Sequence, residues 1–276
     1  MTEKISLFGN GFVGGTYSSM FDSYVMDRDA IESETSKILY FISTIHNYNV
    51  FEDVHKDVDV NLNLMLEILD RNHKKFGKEL EFNFISSWFV YGKSIELPAK
   101  EDSLCDPTGF YSITKRCAEQ LLISYCETFG LKYRILRLAN VIGSSDKKVS
   151  KKKNALQYMV QSLMRGETVT LYKGDIVRDY IDVVDAANAM DLVLHSESTL
   201  NSITNIGNGI PLKFSDLIFY VADKVGGKVE MIDPPKFHET VQSTQMWMDN
   251  SKLQRLGYVP TYIVYQSLDR VIEDYS

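Results

Sequence analysis

Through the first half of the chain, short wholly apolar runs alternate with longer stretches whose apolar residues recur every three or four positions. That alternation predicts β-α-β units and a parallel sheet whose strands are buried on both faces. Ile5–Phe8 reads as a compact first strand running directly into glycines, Tyr24–Met26 as a second, and Ile38–Ile42 as a third. Leu62, Met65, Leu66 and Leu69 carry the helical period through Asp57–Asn72, and Phe82–Ile85 follows as another strand. The stretch Tyr111–Phe129 sets Leu121, Leu122, Tyr125 and Phe129 on one side of a long helix, which Gly130 stops in the C-terminal position glycine favours. Tyr133–Leu138 returns as a strand.

Beyond residue 143 the pattern loosens. Ser144–Lys153 is polar and lysine-rich and reads as a loop, Asn154–Met164 as a helix, and Val169–Tyr172 as a short strand. Val183–Leu194 is helical, Thr204–Ile206 is a strand opening onto Gly207-Asn208-Gly209, and Leu212–Val225 is a helix ended by Gly226-Gly227. No linker separates the halves. The expected organisation is a sheet domain over 1–143, to which 178–205 returns, and a smaller interleaved lobe from 144–177 and 206–276.

Composition narrows the classes. With 44% apolar and 24% charged residues the chain has the make-up of an ordinary globular protein. A net charge of −7 argues against non-specific nucleic-acid binding, which needs a concentrated basic face. No apolar run approaches the roughly 20 residues of a membrane span. The N-terminus lacks a signal-peptide pattern, and Cys105, Cys117 and Cys126 follow no metal-binding spacing. The expectation is a cytoplasmic protein with reduced thiols and no metal.

Three motifs carry chemistry. Gly9-Asn10-Gly11-Phe12-Val13-Gly14 sits between the first strand and a helix, a context that turns a weak glycine pattern into a dinucleotide-binding one. The glycines allow a tight turn, close approach to a pyrophosphate and close helix packing, and the helix N-terminus attracts the negative charge. Asp27 ends the second strand, where a carboxylate bonds ribose hydroxyls and favours NAD; Arg28 beside it suits the 2′-phosphate of NADP. Tyr111-Ser112-Ile113-Thr114-Lys115 places a tyrosine and a lysine on one helix face. A phenol with an ordinary pKa of about 10 is a poor base at neutral pH. A nearby ammonium stabilises its phenolate, and the pair then takes a proton from a hydroxyl as hydride leaves its carbon; a plain surface pair is the other reading of this spacing. Ser86-Ser87, emerging from a buried strand ahead of Trp88-Phe89-Val90-Tyr91-Gly92, offers a hydroxyl for the same oxygen.

These motifs, with Arg137-Leu138-Ala139-Asn140-Val141-Ile142-Gly143 and Arg178-Asp179-Tyr180-Ile181-Asp182-Val183 in that order, resemble the extended short-chain dehydrogenase/reductases, specifically the NAD-dependent nucleotide-sugar epimerase/dehydratase family. The resemblance covers nearly the whole chain. It implies an α/β, Rossmann-type doubly wound parallel sheet with a smaller C-terminal α/β substrate lobe, NAD (or NADP) as cofactor, a nucleotide-diphosphate sugar as substrate, and a homodimer paired through the helices Asp57–Asn72 and Tyr111–Phe129. At matched positions it implies Tyr111 as acid/base, Ser87 as the catalytic hydroxyl, and Lys115 as the residue that tunes Tyr111 and holds the nicotinamide ribose. Gly9, Gly11, Phe12, Val13, Gly14, Ile42, Ser43 and Asn61 fall along the dinucleotide. Asn140, Asn154 and Arg178 fall on the nucleotide diphosphate, for which a guanidinium fork is suited; a structural ion pair with a neighbouring Asp is the second reading of Arg178.

The chain departs from the pattern in two informative places. The span from Asp27 to Ile38 is too short for a full helix-strand unit, so the sheet is expected to be shortened on the adenine side. Trp88 and Phe89 stand where family dehydratases carry an Asp-Glu pair; neither titrates, which argues against water elimination. A 4-epimerase acting through a transient 4-keto sugar, a 4-ketoreductase, and a non-catalytic dinucleotide sensor or scaffold remain as readings. The basic run Lys147–Lys153 is either a solvated loop or a cationic flap over the phosphates.

Overall fold

The computed structural model describes residues 4–93, 96–144, 146, 149–150, 153–236 and 244–276. Thirteen described strands follow in chain order: β1 (Ile5–Phe8), β2 (Ser23–Val25), β3 (Lys37–Tyr40), β4 (Glu81–Ser87), β5 (Lys132–Leu138), β6 (Asn140–Ile142), β7 (Val169–Tyr172), β8 (Val177–Arg178), β9 (Tyr180–Asp182), β10 (Ser202–Ile206), β11 (Leu212–Lys213), β12 (Val229–Ile232) and β13 (Gln245–Met246). The main sheet has the order β10-β5-β4-β3-β1-β2, and every pairing in it is parallel. The order reverses at β1, between β2 on one side and β3 on the other, and the crevice at such a reversal is where open α/β sheets bind ligands.

Both faces of this sheet are covered, as the unbroken apolar strands require. Side chains alternate: Leu7, Leu39, Leu136 and Leu138 enter one core with Tyr17 and Ala186 from α1 (Phe12–Met20) and α6 (Val183–Leu194). Phe8, Ile38, Tyr40, Phe82, Phe84 and Ile135 enter the other, with Met65, Ile68 and Leu69 of α3 (Leu64–Phe76) and Ala118, Leu122 and Cys126 of α4 (Phe110–Phe129). The helix expected over Asp57–Asn72 is longer and irregular. It begins as α2 (Lys56–Val58), widens into a π-helical stretch at Asp59–Asn63, and continues as α3 to Phe76, where His73, Lys74 and Lys75 complement the C-terminal dipole. Gly130 ends α4 in the left-handed conformation at φ 68°.

The shortened side is real: β2 is the sheet edge, with no strand outside it among the described residues. β3 is shorter than expected, because the chain leaves the sheet after Tyr40 and releases Phe41, Ile42 and Ser43 toward the switch point. A third core lies among α5 (Ala155–Met164), α7 (Phe214–Val225) and the last helix, with Leu156, Val160, Leu217, Val221 and Leu268. That last helix, α9 (Val264–Tyr275), follows a short α8 (Ser251–Arg255). The helix expected from Leu212 begins at Phe214, since Leu212–Lys213 pairs with β8 instead.

Candidate active site

The C-terminal ends of β1, β3, β4 and β5 open into one cavity of about 750 Å³, closed on its far side by residues of α5, β7, β8 and β9. Gly9, Gly11, Phe12, Val13, Gly14, Ile42, Ser43, Ser87, Tyr111, Lys115, Asn140, Asn154 and Arg178 all line it. Sequence neighbours as remote as Gly9 and Arg178 are brought together because each lies at a strand end.

The glycine loop fits a pyrophosphate on local grounds. Gly9 holds φ +98°, and a Cβ at Gly14 would sit 2.3 Å from the Gly9 carbonyl oxygen, so the first turn of α1 packs against the loop with no room for a side chain. A Cβ at Gly11 would meet nothing within 4 Å, so this side of the loop is open. Gly11 caps α1 with no side-chain hydrogen bond, which leaves the first N–H groups of the helix to an anion.

Tyr111, in the first turn of α4, lines the cavity together with Ser87 and Ser43. Burial, with Asp57 nearby, lifts its pKa, and the two serine hydroxyls act in the opposite direction. Ser87 ends β4 and accepts the Phe89 N–H at 3.3 Å, so its own proton is not used in that bond. One turn along α4, Lys115 is 2% exposed; its Nζ donates to the Ile85 carbonyl at 2.6 Å and lies 4.0 Å from the Phe84 ring centroid. Burial pulls this lysine down to about 7, with Glu119 opposing the fall. The unfolded chain therefore binds more protons than the folded one between about pH 7 and the ordinary lysine value of 10.5. The strain of the buried ammonium is fully present below pH 7 and is relieved as pH rises through that window. Urea unfolding of the cofactor-free protein is expected to show a Lys115 contribution that climbs by up to ~1.4 kcal/mol per pH unit there. Lys115→Met should remove that slope and be the more stable protein at pH 6.5; an unchanged slope would place the titration elsewhere.

Trp88 and Phe89 follow Ser87 as a stacked pair, centroids 4.0 Å apart. Phe89 meets Tyr111 edge-on at 5.8 Å, and Arg178 lies 5.1 Å over Trp88. The Arg178 guanidinium donates to the carbonyls of Val177 (2.8 Å) and Thr244 (3.0 Å), and burial lowers its pKa to about 10. The adjacent Asp179 carboxylate serves the backbone instead, accepting from the N–H groups of Asn208 and Gly209 at 3.1 Å each. Asn140 and Asn154 spend much of their hydrogen-bonding capacity on the fold: Asn140 donates to the Asp179 carbonyl, and Asn154 caps α5 and donates to the Val141 carbonyl.

Three residues assigned to the cofactor do not line the cavity. Asp27 and Arg28 lie past the end of β2, exposed, because no outer strand covers them. Asn61 is 2% exposed, and its amide is consumed inside the protein by Thr44 and Thr114. Conversely, Tyr48 and Tyr172 line the cavity, though no motif marks either. Tyr48 belongs to a 3-10 turn, Asn47–Phe51, too short for a periodic signal. Lys153 pairs with Asp146 at 2.5 Å and lies 5.5 Å over the Phe12 ring, whereas Lys147, Lys148, Lys151 and Lys152 of the basic run lie outside the described residues. The described residues contain no group of three or more His, Cys, Asp or Glu placed for a metal ion, and no helix long and apolar enough to cross a membrane.

A family model described as the NAD dependent epimerase/dehydratase family matches residues 22–207. The chain belongs to that family. A putative UDP-glucose 4-epimerase of Methanocaldococcus jannaschii is 24% identical over 90% of this chain and 81% of its own length. A GDP-6-deoxy-D-mannose reductase of Pseudomonas aeruginosa is 27% identical over 82% of this chain and 75% of its own. Among solved structures, the Thermus thermophilus UDP-glucose 4-epimerase in complex with NAD superposes with a TM-score of 0.84 over 99% of both chains, at 21% identity. The fold of that enzyme is thus matched over nearly the whole chain, and in this protein's sheet β2 is the edge among the described residues.

Proposed function

We propose that this protein is an NAD-dependent nucleotide-sugar 4-epimerase that works through a transient 4-keto sugar. The observation that carries the reading is that Tyr111, Lys115 and Ser87 line one cavity with the glycine loop. Gly9, Gly11 and the α1 N-terminus would hold the pyrophosphate of the dinucleotide, and Lys115 and Ser43 its inner half; the cofactor would supply the reversible hydride chemistry. Tyr111 Oη accepts the proton of the 4-hydroxyl, while Ser87 donates to the same oxygen and fixes the carbon it sits on. Trp88 and Phe89 wall this centre with rings that cannot titrate, which excludes water and gives elimination no second acid/base. Re-addition of hydride to the opposite face requires the keto sugar to turn, and the cavity of about 750 Å³ gives it room. The lobe over 144–177 and 206–276 supplies Asn154 to the sugar-nucleotide side, and Asn140 and Arg178 reach it from the bordering ends of the sheet-domain segments 1–143 and 178–205. Pairing of α3 and α4 with those of a second copy is the dimer this reading carries.

Release of bound cofactor by denaturation, with identification by mass, is the direct test. NAD at one per chain supports the epimerase. The exposed position of Asp27 and Arg28 favours a second reading, a 4-ketoreductase whose loosely held NAD(P)H exchanges each turnover. Protein that comes off the column empty and then consumes NAD(P)H one for one with product would establish that reading. Arg178→Met is expected to weaken binding of the matching nucleoside diphosphate about 10- to 100-fold with no loss of fold, since a charge-assisted pair is lost and a buried charge removed. Calorimetry against UDP, GDP and dTDP checks it; equal affinities for wild type and variant would remove Arg178 from the phosphate site.

A further inference from the structure

Asp179 stands between β8 and β9, next to the Arg178 that lines the cavity, yet does not line the cavity itself. Successive side chains of an extended chain leave on opposite sides. The guanidinium is at the cavity, while the carboxylate, on a residue 3% exposed, turns into the protein. There it gathers segments that the chain brings from far apart. It accepts the N–H groups of Asn208 and Gly209 at 3.1 Å each and, at 3.5 Å, that of Met248. The Asp179 carbonyl accepts from the backbone N–H and the side-chain amide of Asn140 at 3.2 and 3.0 Å. Gly207 is fitted to the carboxylate: a Cβ there would lie 2.5 Å from Asp179 Oδ2.

Arg178 depends on the same segments. Its Nη1 donates to the Thr244 carbonyl at 3.0 Å, and that carbonyl also accepts the Val177 N–H at 2.9 Å. Thr244 leads directly into β13, two residues long, which sets Met246 opposite Arg178. So short a strand has little pairing of its own. Its far end is fastened by Ala99, which bonds the Trp247 carbonyl and the Asp249 N–H, and by the Met248 N–H on Asp179. The carbonyl that aims the guanidinium is thus tied to the carboxylate of the next residue. A buried carboxylate with this many backbone donors fixes geometry, because each donor it released would be left unsatisfied.

We propose that Asp179 is a positioning residue for recognition of the substrate's diphosphate: its carboxylate holds the Gly209 and Met248 segments so that the Arg178 fork stands at a fixed place beside Trp88 in the cavity wall. Asp179 touches no ligand in this role and acts through Arg178. The side-by-side Arg-Asp pair is therefore not an ion pair but a division of labour, one side chain for the ligand and the other for the backbone that carries it.

This role rests on the assignment of Arg178 to the substrate's diphosphate, and calorimetry separates the two. The probes are UDP, GDP and dTDP for the substrate side and ADP-ribose for the cofactor side. Asp179→Asn keeps one acceptor oxygen and turns an amide toward backbone donors. It is expected to weaken binding of the matching nucleoside diphosphate about tenfold and to leave ADP-ribose within about twofold of wild type. In an Arg178→Met background the same substitution should change nucleoside diphosphate affinity by no more than about twofold, since the group it positions is gone. Gly207→Ala displaces the carboxylate without removing it and should weaken the same nucleotide; it decides the matter where Asp179→Asn does not fold. If Asp179 served the fold alone, its loss would weaken ADP-ribose as well and would add in full to that of Arg178→Met. Either result overturns the proposal, as does a folded Asp179→Asn protein that binds like wild type. If wild type binds none of the three nucleotides, or Arg178→Met binds them as wild type does, the diphosphate assignment falls and this inference with it. If Arg178→Met weakens binding and Asp179→Asn does not, the assignment stands and this inference alone falls.

Discussion

Tyr111→Phe is expected to lower turnover by about 10²- to 10⁴-fold, the range a well-placed general acid/base contributes. The fold should survive. The ring keeps its edge-on contact with Phe89, and the cavity serines keep their own partners, the Phe89 N–H for Ser87 and the Thr44 carbonyl for Ser43. A loss of about 1 kcal/mol, or roughly 2–4 °C in Tm, is the expected structural cost. kcat and Tm measured on the same preparation separate the two effects. Undiminished turnover would move the base elsewhere, and His46 is the group to examine: it lines the same cavity, and its Nδ1 already accepts the Tyr48 N–H at 3.2 Å.

How much of this was legible in the sequence follows from the kind of order each feature depends on. β1, β3, β4 and β5 are visible because strands buried on both faces must be apolar throughout, and α4 because twenty residues hold a helical period up to a glycine. The glycine loop, Ser87, Tyr111 and Lys115 are visible because their chemistry is set by neighbours within a few residues. β8, β9, β11 and β13 are not: strands of two or three residues carry no period, and their pairing is decided by chain segments far away. The same holds for side chains. Asn61 has the right residue type at the right place, yet its amide is taken by Thr44 and Thr114, partners seventeen and fifty-three residues away. Asp27 stands just past the end of β2, as its place in the sequence implies, but is exposed at the sheet edge and does not line the cavity. The short gap before Ile38 signals that edge, because a helix-strand unit cannot be made from so few residues.

The largest stability effect is expected at Glu119, a residue with no motif to mark it. It is wholly buried on α4, one turn beyond Lys115, and binds Arg137 of β5 in a two-pronged pair: Nε to Oε1 at 3.0 Å and Nη2 to Oε2 at 2.8 Å. Arg116 adds a third donor at 2.8 Å, and Arg137 also donates to the Glu101 carbonyl and faces the Tyr91 ring at 4.7 Å. The guanidinium holds the Glu119 carboxyl below its ordinary value despite burial, so this stability is present above the usual carboxylate range and is lost as pH falls through the lowered value. Removing one partner strands a buried charge. Glu119→Leu should cost about 3–5 kcal/mol, whereas replacing both partners, Glu119→Leu with Arg137→Met, should recover much of that loss. Urea unfolding of the two single variants and the double variant closes the cycle. A single variant within 1 kcal/mol of wild type would mean that water reaches the pair. The pair is also what docks α4 on the sheet beneath Tyr111 and Lys115, and Glu119 is the group that opposes the fall of the Lys115 pKa. Activity in the double variant is therefore expected to return less completely than stability, because an apolar pair restores packing but not the charge that Lys115 senses.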